Sequence, residues 1–321
     1  MHMDIVVIGT SNFTLECARA VLDSKAILKG IISMPKVALP LNSADIKYFA
    51  DVNKIPYFEF EDLNLDESIL VLRQLAPDYI LSSWPKILKA EVLKIPRRCV
   101  IGSHPTDLPF NRGRHPLHWL IVQGIRRTNL SFFHMDEGID TGDILLKMPV
   151  EIEENDNILN LADKINRAAY RGVKIILEND KPLQRSIQDS SGANYWRKRT
   201  PFDVTLDFRM TADHIIKIVN SFTLPYPCAN LIINDKIIKV LFAKIIINDY
   251  QENEIQRIEP GKIISVENKK MKIKAADKVI ELTFVEELPR GLREIKYIHP
   301  PMKYFMEFLQ QGQQHFAEGL K

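Results

Sequence analysis

The sequence has 321 residues, which is long for one hydrophobic core and suits one larger and one smaller domain. Hydrophobic residues make up 45% and charged residues 26%, the balance of a soluble globular protein. Lys and Arg (43) barely outnumber Asp and Glu (41), which argues against a protein that captures nucleic acid through a strong basic field.

The cysteines and the hydropathy pattern predict a cytoplasmic protein. Cys17, Cys99 and Cys228 lie far apart, show no metal-binding spacing, and are typical of reduced thiols. No apolar run approaches the roughly 20 residues that a membrane-spanning helix needs. The N-terminus lacks the charged and apolar regions of a signal peptide, so we expect no membrane partner.

Short apolar runs alternate with helical patterns in the first half of the chain. The predicted elements, in order, are a strand at 5–8, a helix around 15–22, a strand at 28–33, a helix at 44–53, and then a strand at 56–58, a helix at 67–75 and strands at 79–82 and 99–103. These strands are apolar throughout instead of alternating. The pattern therefore predicts an α/β fold, a mostly parallel Rossmann-like sheet with helices on both faces.

The pattern changes after residue 115. A helix at 116–124 and strands at 129–135 and 144–150 precede a long helix at 158–177, whose apolar positions follow the three/four spacing of a core-facing stripe. Residues 182–201 are polar and suit a linker. The first domain is therefore expected to span residues 1–185.

Residues 200–321 are expected to form a smaller domain. One helix at 211–222 is followed by strand-like segments at 229–233, 236–243, 262–266, 271–275 and 279–284. Asn234-Asp235 between two apolar runs predicts a tight hairpin turn. Short strands after a single helix predict a β-rich, barrel-like domain.

The opening strand, turn and helix do not form a dinucleotide site. The turn offers one glycine, Gly9, where the dinucleotide fingerprint requires three, and no Gly-Lys-Ser/Thr sequence occurs in the chain. We interpret this loop as an ordinary strand-to-helix turn.

Two polar loops carry the candidate chemistry. His104 lies at the carboxyl end of a predicted parallel strand, which is where open α/β sheets place their ligands. Asp140 lies in an acidic, glycine-bearing loop between two later strands. An imidazole and a carboxylate can form a charge-assisted pair that sets the tautomer of the histidine. A zinc site at His104, His115 and His118 is disfavoured because zinc sites show tighter ligand sets, so no metal is expected.

The motifs around these two residues resemble a known family. His104-Pro-Thr-Asp-Leu-Pro, Arg112-Gly-Arg-His-Pro and Met135-Asp-Glu-Gly-Ile-Asp-Thr-Gly are similar to the 10-formyltetrahydrofolate-dependent formyltransferases. That group includes methionyl-tRNA formyltransferase, glycinamide ribonucleotide transformylase and the sugar N-formyltransferases. The resemblance covers residues 4–180, and residues 196–235 are similar to the start of the second domain in the two-domain members.

The resemblance implies a catalytic Asn-x-His followed by Asp. His104 and Asp140 match this trio, but Gly102 stands where the family has asparagine. Residues 102 and 104 of a strand point to one face and residue 103 to the other, so Ser103 is no simple replacement. A water molecule, the Gly102 backbone or Asn111 remain as alternatives.

The resemblance also implies binding residues. For the carrier N10-formyltetrahydrofolate, they are Trp84, Ile87, Leu88, Asp136, Glu137 and Gly138. For a substrate phosphate, they are Arg112, Gly113 and Arg114, since arginine suits bidentate recognition of phosphate. The alternative for the arginines is a solvated loop or an internal carboxylate partner.

The implied reaction is attack of an amine on the formyl group carried by folate. His104, supported by Asp140, would stabilise the negative oxygen that forms, a contribution of roughly 3–4 kcal/mol. Asp140 would also help to remove the amine proton, worth roughly 10²–10⁴ in rate.

The acceptor amine is expected to belong to a nucleotide-linked amino sugar. In the family, methionyl-tRNA formyltransferase carries a basic insertion after the second strand, whereas residues 34–46 here contain only Lys36 and Asp45 as charged residues. Nucleic acid is therefore a disfavoured partner. Formylation of methionyl-tRNA and a non-catalytic folate-binding protein, which Gly102 allows, are the alternatives. A homodimer is left open.

Overall fold

The structure is a computed structural model that describes residues 2–178, 183–233, 236–246 and 252–303. The chain divides into two compact units. The first comprises Met1–Trp119, Ile125–Glu154 and Leu159–Lys198, and the second comprises Leu120–Gly124, Asn155–Ile158 and Arg199–Lys321. Within the described ranges, no helix is long and apolar enough to cross a membrane.

The first unit is built on a seven-stranded sheet. Its elements are β1 (Asp4–Gly9), α1 (Asn12–Leu22), β2 (Ile27–Ser33), α2 (Ile46–Asn53), β3 (Tyr57–Glu59), α3 (Asp66–Leu75), β4 (Tyr79–Ser83), α4 (Ala90–Leu93), β5 (Cys99–His104), β6 (Arg112–Gly113), α5 (Pro116–Val122), β7 (Arg127–His134), β8 (Ile144–Glu151), α6 (Ile158–Glu178) and β9 (Tyr195–Trp196). The strand order is β3-β2-β1-β4-β5-β7-β8. The first five strands pair in parallel, and β7 and β8 pair antiparallel. The predicted mostly parallel α/β fold is confirmed.

The central strand shows why these residues form a buried parallel sheet. Ile5, Val6, Val7 and Ile8 are each at most 1% exposed, so both faces of β1 are covered. Burying an aliphatic side chain of this size stabilises the fold by about 1.5–3 kcal/mol. Apolar side chains on both faces of a strand are favourable only where other elements cover both faces.

The turn after β1 is closed by side chains. Gly9 has φ +156°, and a Cβ there would lie 2.1 Å from Ser83 Oγ, so only glycine fits. Thr14 Oγ1 lies 2.8 Å from Ser83 Oγ and accepts a hydrogen bond from the Ser11 N–H at 3.2 Å. The first free N–H of α1 is therefore used within the protein, as expected of an ordinary strand-to-helix turn.

The second unit combines two helices of its described residues with an antiparallel sheet. Its elements are α7 (Ala212–Asn220), β10 (Ala229–Ile233), β11 (Lys236–Ile245), α8 (Glu252–Ile255), β12 (Ile263–Glu267), β13 (Lys270–Lys274) and β14 (Val279–Phe284). The strand order is β10-β11-β14-β13-β12, and α7 buries Ile215 and Val219 in the core of this sheet. The predicted β-rich character is confirmed. The predicted turn at residues 234–235 lies outside the described residues, and the strands on either side of it pair with Ile233 opposite Lys236.

Two features of the first unit position the candidate site. The β5–β7 register sets Gly102 opposite Phe133 and His104 opposite Ser131. The short strands β6 and β9 pair in parallel, with Gly113 opposite Trp196. Residues 183–198, which make up most of the linker expected at 182–201, are thus hydrogen-bonded into the first unit.

Candidate active site

His104 is the last residue of β5 and is 5% exposed. Its Nε2 lies 2.8 Å from the main-chain oxygen of Asn111. Because a carbonyl oxygen only accepts, this contact requires a hydrogen on Nε2. Nδ1 lies 3.5 Å from Asp140 Oδ2, an ion-pair distance when the imidazole is protonated. The structure brings the two predicted catalytic residues together.

Asp140 is held in an unusual backbone conformation. Its φ is +55°, in the left-handed region that residues other than glycine seldom adopt. Its Oδ2 accepts a hydrogen bond from the Gly113 N–H at 2.9 Å, and its side chain is 18% exposed. The carboxylate is therefore fixed between an amide from the loop after β5 and the imidazole of His104.

Gly102 does not leave an empty space. A Cβ at this position would lie 2.7 Å from Met135 Cγ and 2.7 Å from Phe133 Cζ. Residues directly opposite in an antiparallel pair point to the same face, so the ring of Phe133 covers its glycine partner. The position that the family fills with a carboxamide is occupied here by two apolar side chains.

Asn111 contributes its backbone to the site and directs its side chain elsewhere. Its φ is +62°, and its carbonyl oxygen accepts the hydrogen bond from His104. Its Oδ1 accepts from Asn194 Nδ2 at 2.9 Å, and its own N–H donates to Asn194 Oδ1 at 2.8 Å. The side-chain oxygen of Asn111 is thus engaged away from His104.

The three residues predicted to contact a phosphate have different environments. Arg112 is 2% exposed and donates to Gln188 Oε1 and to the Tyr195 hydroxyl, so its guanidinium offers no surface to a substrate. Gly113 has φ +104° and uses its N–H to bind Asp140. Arg114 is exposed, which leaves it as the candidate phosphate contact.

The segment around Trp84 that is predicted to bind the folate carrier combines buried and exposed residues. Trp84 and Leu88 are 9% and 2% exposed and belong to the core cluster against which Met135 packs, while Ile87 is exposed. Trp84 Nε1 is buried and has no hydrogen-bond partner. A buried indole N–H without an acceptor is costly, so this group suits a ligand that brings an acceptor.

The loop between β7 and β8 is shaped by its own side chains. Asp136 Oδ1 accepts from the Gly138 N–H at 3.0 Å and from Thr141 Oγ1 at 2.7 Å. A Cβ at Gly138 would lie 2.0 Å from Thr141 Oγ1, so the tight approach requires glycine. Asp136, Glu137 and Gly138 are all exposed. Asp136 therefore gives the loop its shape, and Glu137 faces solvent.

Sequence reasoning missed three residues of the polar segment 183–198. Gln188 is 7% exposed and donates to the carbonyl oxygens of Asp140 at 2.9 Å and Gly142 at 2.6 Å. Asn194 binds the loop after β5, and Tyr195 binds Arg112. The available signal was only a cluster of polar residues in a segment without periodicity, and that composition is shared by solvated linkers.

The other titratable groups near this sheet do not form a second centre. Among the described residues, no group of three or more His, Cys, Asp or Glu side chains is arranged to hold a metal ion. The His115 and His118 rings lie 5.4 Å apart, and His118 is 6% exposed rather than on the surface. Burial raises the pKa of the Cys99 thiol to about 11, which disfavours the reactive thiolate.

Two family models match this chain. The formyl transferase model covers residues 6–176, and the model of the formyl transferase C-terminal domain covers residues 199–289. The chain belongs to the formyl transferase family. It is an enzyme family, and the chain spans both of its domains.

Proteins with two kinds of acceptor are among those similar to this chain. A methionyl-tRNA formyltransferase of Clostridioides difficile (strain 630) is 29% identical over 295 residues, 89% of this chain and 92% of that protein. An N-formyltransferase from Helicobacter canadensis, solved with folinic acid and dTDP-3-aminofucose, superposes with a TM-score of 0.64 at 15% identity over 89% of this chain and 100% of that one. A methionyl-tRNA formyltransferase from Clostridium thermocellum gives a TM-score of 0.56 at 18% identity over 89% and 100%. These structural likenesses establish the fold.

Proposed function

We propose that the protein transfers the formyl group of N10-formyltetrahydrofolate to the amine of a nucleotide-linked amino sugar. The observation that carries the choice of acceptor is the loop after β2. Among residues 34–46, only Lys36 and Asp45 are charged, and Val37 and Leu41 are 96% and 76% exposed. A loop that grips RNA presents several cations to the phosphate backbone, and this one presents a single lysine.

The same loop is tied back onto the β1–α1 turn. The Ala44 N–H donates to the Thr10 carbonyl oxygen at 2.8 Å, and Ser43 forms an antiparallel bridge with Ser11. Both ends of the loop therefore stay near the sheet. Few residues between them are left to extend along the acceptor stem of a tRNA. A small acceptor fits this geometry better than a large one.

Arg114 provides the polar contact that a nucleotide requires. It is exposed, it follows Gly113 in the loop that binds Asp140, and its backbone N–H donates to the Trp196 carbonyl oxygen at 2.9 Å. Its guanidinium can bind a phosphate through two parallel hydrogen bonds. One or two such contacts are enough for a nucleoside diphosphate.

The folate carrier supplies an activated formyl carbon, and the Trp84 segment is the place to hold it. The orphaned Trp84 N–H and the apolar cluster with Leu88 and Met135 suit a flat, heteroatom-rich ring. The Nε2–H of His104, which binds the Asn111 carbonyl oxygen in this structure, would then donate to the formyl oxygen instead and stabilise its negative charge. Asp140 holds the imidazole and accepts the amine proton, directly or through water.

Formylation of methionyl-tRNA is the second candidate. It is favoured by the sequence relatives, such as the Clostridioides difficile enzyme, which align along nearly the whole chain including the second domain. That alignment covers the scaffold common to the family, so it does not distinguish the acceptor. The loop after β2 does, because methionyl-tRNA formyltransferases carry their basic insertion at this place.

The test is a comparison of acceptors with the full-length protein. N10-formyltetrahydrofolate is combined either with a panel of dTDP- and UDP-linked amino sugars or with charged initiator tRNA, and formylated product is measured by mass spectrometry. Product with at least one amino sugar and none with tRNA is expected. Product with tRNA alone contradicts the proposal, and so does folinic acid binding without product on any acceptor.

A further inference from the structure

Gln188 lies at the centre of a polar network that connects the segment 183–198 to the catalytic loops. Its amide nitrogen donates to the carbonyl oxygens of Asp140 and Gly142 at 2.9 and 2.6 Å. Its amide oxygen accepts from Arg112 Nε at 3.2 Å and from Arg112 Nη2 at 2.7 Å. All four hydrogen-bonding positions of the amide are therefore filled, which is the full capacity of this side chain.

The orientation of this amide is determined by its partners. A flipped amide would place its NH₂ against the Arg112 guanidinium, a donor against donors, and its oxygen against two carbonyl oxygens. Gln188 and Arg112 are 7% and 2% exposed, so water does not compete for these bonds. Among the described residues, no carboxylate lies within ion-pair distance of Arg112, and the amide oxygen is its main polar partner. The buried cation thus polarises the amide that binds the Asp140 loop.

The Asp140 loop needs such a partner. Asp140 has φ +55°, a left-handed conformation that is unfavourable for a residue with a side chain. Gly113 binds the Asp140 carboxylate and Gln188 binds the Asp140 carbonyl oxygen, so both the side chain and the backbone of Asp140 are held. Both contacts act on the residue whose carboxylate lies 3.5 Å from His104 Nδ1.

We infer that Gln188, supported by Arg112, is a positioning residue that sets the geometry of the His104–Asp140 pair. Its side-chain amide binds Arg112, Asp140 and Gly142, so it acts through these residues. This inference rests on the proposed role of that pair in formyl transfer. It also gives a function to a polar segment whose sequence is typical of a linker.

The first experiment compares two substitutions of Gln188 in the full-length enzyme. Gln188→Glu keeps an acceptor for Arg112 but removes the donor to the Asp140 loop. Gln188→Met has a side chain of similar shape to glutamine but lacks both the acceptor and the donor. We expect both to lower kcat by about 10–100-fold, since a misplacement of about 1 Å in a catalytic group has an effect of that order. The KM for N10-formyltetrahydrofolate should change less than about threefold, because Gln188 bonds to Asp140 and Gly142 and to none of the residues predicted to bind the carrier. Gln74→Glu, the same change at an exposed position of α3, is the control and should behave as wild type.

A double-mutant cycle separates positioning from general stability. If Gln188 acts through Asp140, adding Gln188→Glu to Asp140→Asn lowers kcat by less than about twofold further, because the group being positioned is already disabled. Losses that multiply across the two sites overturn the inference. If Gln188→Glu acted only by destabilising the fold, its melting temperature would fall, but its effect on kcat would be the same with and without Asp140→Asn. General destabilisation therefore cannot produce the expected non-additivity.

A second measurement decides the question without an acceptor. The ¹⁵N spectrum of histidine-labelled protein contains signals from 8 histidines, and the His104 signals are those lost in His104→Ala. In Gln188→Glu and Gln188→Met we expect these signals to shift while those of His2 and His214 stay unchanged. An unmoved His104 signal overturns the inference, even if turnover falls. If wild type formylates no acceptor tested, the proposed function fails and this spectrum still decides the role of Gln188.

Discussion

Restoring the family asparagine at Gly102 perturbs the most closely packed point of the site. The new Cβ would lie 2.7 Å from Met135 Cγ and from Phe133 Cζ, whereas carbon atoms in contact are about 3.5–4.0 Å apart. Both side chains must therefore move by about 1 Å. Overpacking of this kind costs about 1–3 kcal/mol, which lowers the Tm of a domain of this size by about 2–4 °C for each kcal/mol. Gly102→Asn should thus lower stability, and turnover with it, because Met135 also packs against the Trp84 cluster.

A compensating variant tests the cause. Gly102→Asn combined with Met135→Ala removes three heavy atoms from the contact and should recover part of the lost Tm. The added amide can then donate to the reacting oxygen, so kcat should rise at least about tenfold above that of Gly102→Asn, with the 10²–10³ of one such donor as the upper limit. Gly291→Asn is the matched control, because no heavy atom lies within 4 Å of a Cβ built there.

Thermal unfolding and formyl-product assays on these variants can refute the reasoning directly. An unchanged Tm in Gly102→Asn means that Phe133 and Met135 do not fill the space. A gain in turnover from the single substitution means that the site lacks its donor and is not built around glycine.

Further predictions concern charged and titratable residues of the first unit. His104→Ala and Asp140→Asn should each lower kcat by about 10²–10³ with the fold intact by circular dichroism, and near-normal activity in either would contradict the catalytic assignment. Arg112→Ala should lower the free energy of unfolding by about 1–3 kcal/mol, because it leaves buried partners unpaired. Arg114→Ala should change that free energy by at most about 0.5 kcal/mol and raise KM for the nucleotide sugar about tenfold; equal effects of the two substitutions on stability would contradict the difference in burial. Partial burial and a neighbouring guanidinium lower the pKa of His134 in the folded state. The unfolded chain therefore binds the proton more tightly, and stability falls as the pH drops below about 6.5. His134→Gln should weaken this dependence in denaturation curves at pH 5 and pH 8, and an identical loss in both proteins would exclude His134 as its source.

Local pattern was enough to predict most elements of the sheet. The run at 279–284 coincides with β14, and the stripe at 158–177 coincides with α6 to within one residue. Both succeed because the period of apolar side chains, 2 or 3.6, depends only on neighbours along the chain. The antiparallel pairing of β7 and β8 leaves no such periodic signal in the sequence.

The candidate site also has features that local sequence predicts and features that depend on contacts between distant segments. His104 and Asp140 were predicted because their residue types and motifs are local, and the structure brings them within 3.5 Å. The packing around Gly102 could not be predicted, because it follows from the register that sets Phe133 opposite the glycine. Likewise, Arg112 was predicted to contact a substrate phosphate, and it is buried because Gln188, 76 residues later, supplies its partner.

The sequence by itself determined the class of fold, the β-rich second domain and the histidine–aspartate pair of the formyl transferase motif. The tertiary structure decided what surrounds that pair. Apolar side chains fill the position of the family asparagine at Gly102. Arg112 is buried, whereas Arg114 is exposed. The polar segment 183–198 holds the Asp140 loop through Gln188. The physical reason is separation along the chain. Gln188 meets Asp140 across 48 residues, and Asn194 meets Asn111 across 83. Contacts of that range depend on the path of the whole chain and leave no periodic trace in the residues that make them.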